Sequence, residues 1–112
     1  MGVALFDKFS VLHFSTGMLW YYLGFNMISL LIVHIIFEIV ENSKPGMLII
    51  NKYFKLWPGG KPRSDSIVNI IGDIIISLIG FIIAYKFINK NIGLLFSIVS
   101  ILYFWTIGHY IK

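Results

Sequence analysis

The chain contains no cysteine, so disulfides, thiolate nucleophiles and cysteine-based metal sites are excluded together. Charge is nearly as scarce. Only 12% of the residues are Asp, Glu, Lys or Arg, and just five of those are acidic. There is no Asn-x-Ser/Thr acceptor for N-glycosylation, and Phe6 stands where a myristoylation site needs Ser or Thr. No cleavable signal is expected, because no small-residue cleavage site follows a short apolar core near the start.

Apolar residues fill the space that charge leaves, at 58% of the chain with a mean hydropathy of +0.87. A soluble domain of 112 residues buries too small a share of its surface to hide that much apolar area. A bilayer accepts it directly. The net charge of +4 comes from basic residues at the ends of apolar runs, which suits anionic headgroups and argues against nucleic acid.

Four apolar runs predict an all-α membrane protein of one domain (1–112), with spans at about 9–23, 27–42, 66–86 and 92–111. The last two reach the length of roughly 20 residues that a spanning helix needs. The first two are short: tilt or local thinning of the bilayer would accommodate them as spans, the expected form, and a re-entrant hairpin is the alternative. Between the second and third runs, residues 47–57 place Asn51, Lys52 and Lys55 on one face of an otherwise apolar stretch, the pattern of a short amphipathic helix at the membrane interface. Trp57-Pro58-Gly59-Gly60 ends it. Lys8, Lys44, Lys52, Lys55, Lys61, Arg63 and Lys112 lie on one side and only Lys86 and Lys90 on the other. That bias predicts cytoplasmic termini and a cytoplasmic long loop.

Polar residues inside the runs fall at helical spacing. Ser10, His13 and Gly17 form one stripe, His34, Glu38 and Glu41 a second, and Asp65, Asn69, Asp73 and Ser77 a third. The first and third helices leave the cytoplasmic edge while the second returns to it. His13, His34, Glu38, Asn69 and Asp73 are therefore expected in one layer, one to two turns deep. Ionisable groups inside spans are costly and mark function, so these five are the candidate catalytic residues.

Three chemistries fit them. His34, Glu38, Glu41 and Asp73 supply a mixed N/O donor set suited to Zn, Mn or Fe. The same layer has the residue types of a proton or ion path. Metal-free acid–base work on a lipid or other amphiphilic substrate is the third, with Lys52, Lys55, Lys61 and Arg63 drawing in an anionic headgroup. A structural reading stays open beside these, in which the polar groups only hold the bundle together. Four short helices are few for enclosing a site, which makes a homodimer a natural expectation.

Phe6-Asp7-Lys8-x4-His13-Phe14, with Gly17 downstream, resembles the opening of VanZ-like membrane proteins. Glu38-x2-Glu41-Asn42-Ser43, then Lys52-Tyr53, then Asp65-Ser66-x2-Asn69-x3-Asp73 is most similar to an uncharacterised family of small bacterial membrane proteins. The resemblance covers about residues 6–84 and implies an envelope-related role with no defined reaction. Ser64 replaces that family's usual Gly, and residues 51–55 replace a more arginine-rich segment.

Overall fold

The structure, a computed structural model, describes residues 3–7, 9–54, 61, 63–87 and 89–110, with Phe87 and residues 107–110 described by backbone alone. The described residues form five α-helices and no strand. They are α1 (Ser10–Tyr22), α2 (Met27–Glu41), α3 (Lys44–Tyr53), α4 (Ile67–Phe87) and α5 (Lys90–Tyr110).

Local chemistry sets most of the boundaries. Asp7 opens α1, its Oδ1 accepting the Phe9 amide at 2.9 Å. Gly24, at φ +90°, closes it. The Phe25 amide reaches Trp20 O at 3.2 Å and the Gly24 amide reaches Tyr21 O at 3.0 Å, the paired bonds of a Schellman ending that needs the left-handed conformation glycine adopts freely. Asn26 caps α2 by accepting the Ser29 amide at 2.7 Å. Ser43 caps α3 through the Gly46 amide, and Pro45 sits in the first turn, where its missing N–H has no helical partner to lose.

α1 is the central helix, packed against both α4 and α5, while α2 rests on α4 and α3. Between α1 and α4 the approach is backbone to backbone. A Cβ on Gly17 would overlap the Ser77 main chain, one on Gly80 that of Phe14, and one on Gly72 that of Leu5. Small residues allow helices this close a contact. Beyond the contact, Met18, Tyr22 and Ala84 form an apolar core flanked by Phe14, Tyr21 and Leu94.

The burial pattern runs opposite to that of a water-facing helix. On α2, Ile28, Ile32, Ile36 and Ile39 are exposed while His34, Glu38 and Glu41 are buried. On α4, Ile67, Ile71, Ile75 and Ile79 face outward while Asn69, Asp73 and Ser77 face inward.

Ile67–Lys86, with a mean hydropathy of 2.5, is the one segment among the described residues long and apolar enough to cross a membrane. The fourth run was expected to qualify equally, but its apolar stretch over described residues is the shorter Lys90–Thr106. α1 and α2 have 13 and 15 residues, or about 20 and 23 Å at 1.5 Å per residue. The amphipathic helix starts at Lys44, three residues earlier than expected, and ends at Tyr53. Lys55 and Trp57 lie outside the described residues.

Candidate functional site

α1, α2 and α4 each deliver polar side chains to one inner layer. One turn of α2 separates His34 from Glu38, and the spacing places Nε2 of the first 3.1 Å from Oε1 of the second. The other ring nitrogen, Nδ1, lies 2.9 Å from Ser77 Oγ on α4. His13, from α1, stacks on the His34 ring with centroids 5.1 Å apart and planes inclined by 18°. Its Nε2 is 3.3 Å from Asp73 Oδ2. Two adjacent imidazoles thus stand between two carboxyl groups. His34, Glu38 and Asp73 are buried, and the His13 side chain keeps 20% exposure.

Hydrogen-bond bookkeeping constrains the protons. Ser77 has one hydroxyl proton and two neighbours, the Ile74 carbonyl at 2.8 Å and His34 Nδ1. When the hydroxyl donates to Ile74, Nδ1–H must donate to Ser77. Nε2 and the Glu38 carboxylate then face each other as two acceptors, and their contact requires a shared proton or another cation. When the hydroxyl donates to Nδ1 instead, Nε2–H donates to Glu38 and no added proton is needed. The orientation of the Ser77 hydroxyl is thereby tied to the tautomer of His34.

From Glu38 the network continues toward the α2–α3 junction. Asn42 Nδ2 donates to the Glu38 carbonyl at 2.8 Å and to Glu38 Oε2 at 3.2 Å, while Asn42 Oδ1 accepts the Asp65 amide at 2.8 Å. Lys61 Nζ is 2.8 Å from Asp65 Oδ2. Asn51 clamps the Lys61 main chain from both sides, donating to its carbonyl at 2.7 Å and accepting its amide at 2.8 Å. At the edge, Asn69 Nδ2 donates to Ala4 O at 2.8 Å and to Asp7 Oδ2 at 3.2 Å. All five acidic residues of the chain are in this region, and Lys61 is the only Lys or Arg buried among the described residues.

Among the described residues, two groups of donors are close enough to hold a metal ion: His13, His34 and Glu38, and Glu38, Glu41 and Asp65, the donor atoms of each lying within 4.8 Å of one another. Tetrahedral zinc, at 2.0–2.1 Å from each ligand, wants donors about 3.4 Å apart. Stacked imidazole planes aim their lone pairs in parallel rather than at one point. The donor set of the first group suits a borderline divalent metal, and its ring orientation suits shared protons. A metal there requires one ring to rotate.

Compared with protein-family models, curated proteins and solved structures, the chain matches none.

Of the residues expected in one layer, His13, His34, Glu38 and Asp73 are connected by the contacts above. Asn69 is not joined to them by these contacts; its Nδ2 donates to Ala4 O and Asp7 Oδ2. The expected metal set of His34, Glu38, Glu41 and Asp73 is divided: Glu38 groups with His13 and His34 on one side and with Glu41 and Asp65 on the other, and Asp73 is in neither group. Lys61 was expected at the headgroups but is 3% exposed and held on Asp65. Lys52 is exposed, with Nζ 5.2 Å from the Tyr53 ring centre, and Arg63 is exposed. The sequence reading missed Asp7, Asn42 and Asn51. Asn42 carried a signal, since it follows Glu38 by one turn. Asn51 carried none, because its partner lies ten residues on, across a connection without periodicity.

Proposed function

We propose that this chain is a multi-pass membrane protein of the VanZ-like kind. In this reading α1, α2, α4 and α5 span, α3 lies in the cytoplasmic interface, and both termini are cytoplasmic. The His13–His34–Glu38–Asp73 layer is an acid–base site that binds a cation, either a proton or a divalent Zn, Mn or Fe. It acts on a lipid or other amphiphilic envelope substrate entering from the cytoplasmic leaflet.

One observation carries the reading: helices with apolar outer faces bury His34, Glu38, Glu41 and Asp73, with the half-buried His13 stacked on His34. In water that arrangement exposes apolar surface and buries charge, both unfavourable. In lipid the outer faces are solvated by acyl chains, and the inward groups are where intramembrane chemistry is found. The family likeness belongs to the same proposal, since His13, Glu38, Asn42 and Asp73, four of the residues that carry it, take part in these contacts.

A bound metal would supply a Lewis acid or an activated water. The chain's own residues hold and pass protons, His13 to and from Asp73, His34 to and from Glu38. A proton- or ion-conducting path through the same layer is less well supported. Past Ser77 the interior is closed by Met18, Tyr22, Phe81 and Ala84, all buried, which favours a one-sided site. Uptake into proteoliposomes abolished by Asp73→Asn would reverse that preference.

The test is the metal content of protein purified in detergent without chelator, beside His34→Ala. Near-stoichiometric Zn, Mn or Fe that the variant loses is the expected result for a metal-loaded site. Absence of metal in both leaves the proton form alone. An unchanged metal content in the variant contradicts a site at these residues.

A further inference from the structure

Lys61 is out of place for a loop lysine. Its flexible, strongly hydrated side chain is 3% exposed, a position tolerated only where a partner offsets lost hydration. Asp65 provides that partner at 2.8 Å, and Asn51 holds the main chain on both sides. The ammonium is thus presented to a defined place. That place adjoins Glu38 and Glu41, whose carboxylates group with that of Asp65.

Glu38 is the carboxylate shared by the two donor groups, the one with His13 and His34 and the one with Glu41 and Asp65. Oε1 faces the His34 ring, and Oε2 faces Asn42, which also holds the Asp65 amide. A carboxylate between two cations is the arrangement of two-metal sites, where the ions sit about 3.5–4 Å apart.

We propose that Lys61 is a positioning residue of this site: a fixed cation that fills the Glu38/Glu41/Asp65 side of a two-cation arrangement and leaves the His13/His34/Glu38 side for one exchangeable cation. The inference rests on the reading of the histidine side as a cation site. A tethered ammonium supplies the second positive charge without loading, and it limits the number of exchangeable ions to one. Removing its charge leaves three neighbouring carboxyl groups with no resident cation.

The experiment uses full-length protein in detergent and titrates Mn2+ or methylammonium against wild type, Lys61→Gln and the pair variant Lys61→Gln/Asp65→Asn. Bound Mn2+ is measured by elemental analysis and folding by the thermal midpoint. Wild type is expected to hold one Mn2+ per chain. Lys61→Gln is expected to melt earlier, to recover with either cation at millimolar concentration, and to bind a second Mn2+. The pair variant, which loses charge of both signs, is expected to melt near wild type and hold one. If Lys61→Gln accumulates only as folded protein when expressed with added Mn2+, that also supports the proposal.

A Lys61→Gln midpoint that neither cation moves, or failure to fold even with cation, overturns it, as does a pair variant that binds two. Wild type without Mn2+ but with Lys61→Gln rescued sinks the metal form of the proposed function and keeps the role of Lys61. The reverse pattern sinks the role of Lys61 and keeps the site.

Discussion

The same helices build two unlike interiors. Toward one end α1 and α4 enclose Met18, Tyr22, Phe81 and Ala84, an apolar filling in which the Tyr22 hydroxyl has no partner among the described residues. Toward the other, α1, α2 and α4 enclose imidazoles and carboxyl groups tied by asparagines and one lysine. The apolar half and the glycine contacts suffice to hold helices together. The polar half costs desolvation for every charge it buries and returns that only where the geometry is complete. A bundle needing only cohesion would not gather every acidic residue at one end, and the proposed site is placed there for that reason.

The largest expected effect lies on the boundary between the halves. Gly17→Leu drives a side chain into the Ser77 backbone and is expected to cost about 3 kcal/mol or more. It should abolish the peak of folded protein in detergent chromatography. Met18→Ala, at a fully buried apolar position, should cost about 2–5 kcal/mol. Its thermal midpoint falls while cation binding per folded chain stays at the wild-type level.

Glu38→Gln should separate the halves in the opposite sense. It keeps the side-chain shape and so costs less, about 1–3 kcal/mol, yet removes cation binding altogether. If Met18→Ala and Glu38→Gln lost stability and binding in parallel, the two interiors would be one cohesive unit and the contrast would fail. The smallest effect is expected at Trp20→Phe. It deletes the 2.9 Å bond from Nε1 to Ser29 Oγ at the α1–α2 turn, for about 1 kcal/mol, and leaves the site unchanged.

Much of the helical order was legible because helical periodicity is local. His34 and Glu38 share a face at i, i+4, and they bond. Ranking depth by turns placed His13 and Asp73 beside them, since neighbouring antiparallel helices preserve that register. Legibility failed where the chain leaves helical geometry. Asn69 was expected in the layer, but it bonds Ala4 and Asp7 in the bent segment before α1, and nothing periodic announces that. Lys61 looked like a surface charge because its neighbours include Pro62 and Arg63. Its burial follows from the Asn51 clamp, a contact across an aperiodic connection. The split of the metal donors into two groups depends on side-chain orientation, which stripe spacing does not specify.

The absence of cysteine makes the most direct test of the central claim simple, because each introduced thiol is the only one in the chain. That claim is that the exposed isoleucine faces meet lipid while the carboxyl groups turn inward. Single cysteines at Ile36, Ile75, Lys44 and Lys90, all exposed in the isolated chain, would be challenged in intact membranes with a hydrophilic maleimide. The account predicts no reaction at Ile36→Cys and Ile75→Cys, reaction from the cytoplasmic side at Lys44→Cys, and reaction from the opposite side at Lys90→Cys. Labelling of Ile36→Cys as fast as Lys44→Cys would place the α2 outer face in water and contradict it.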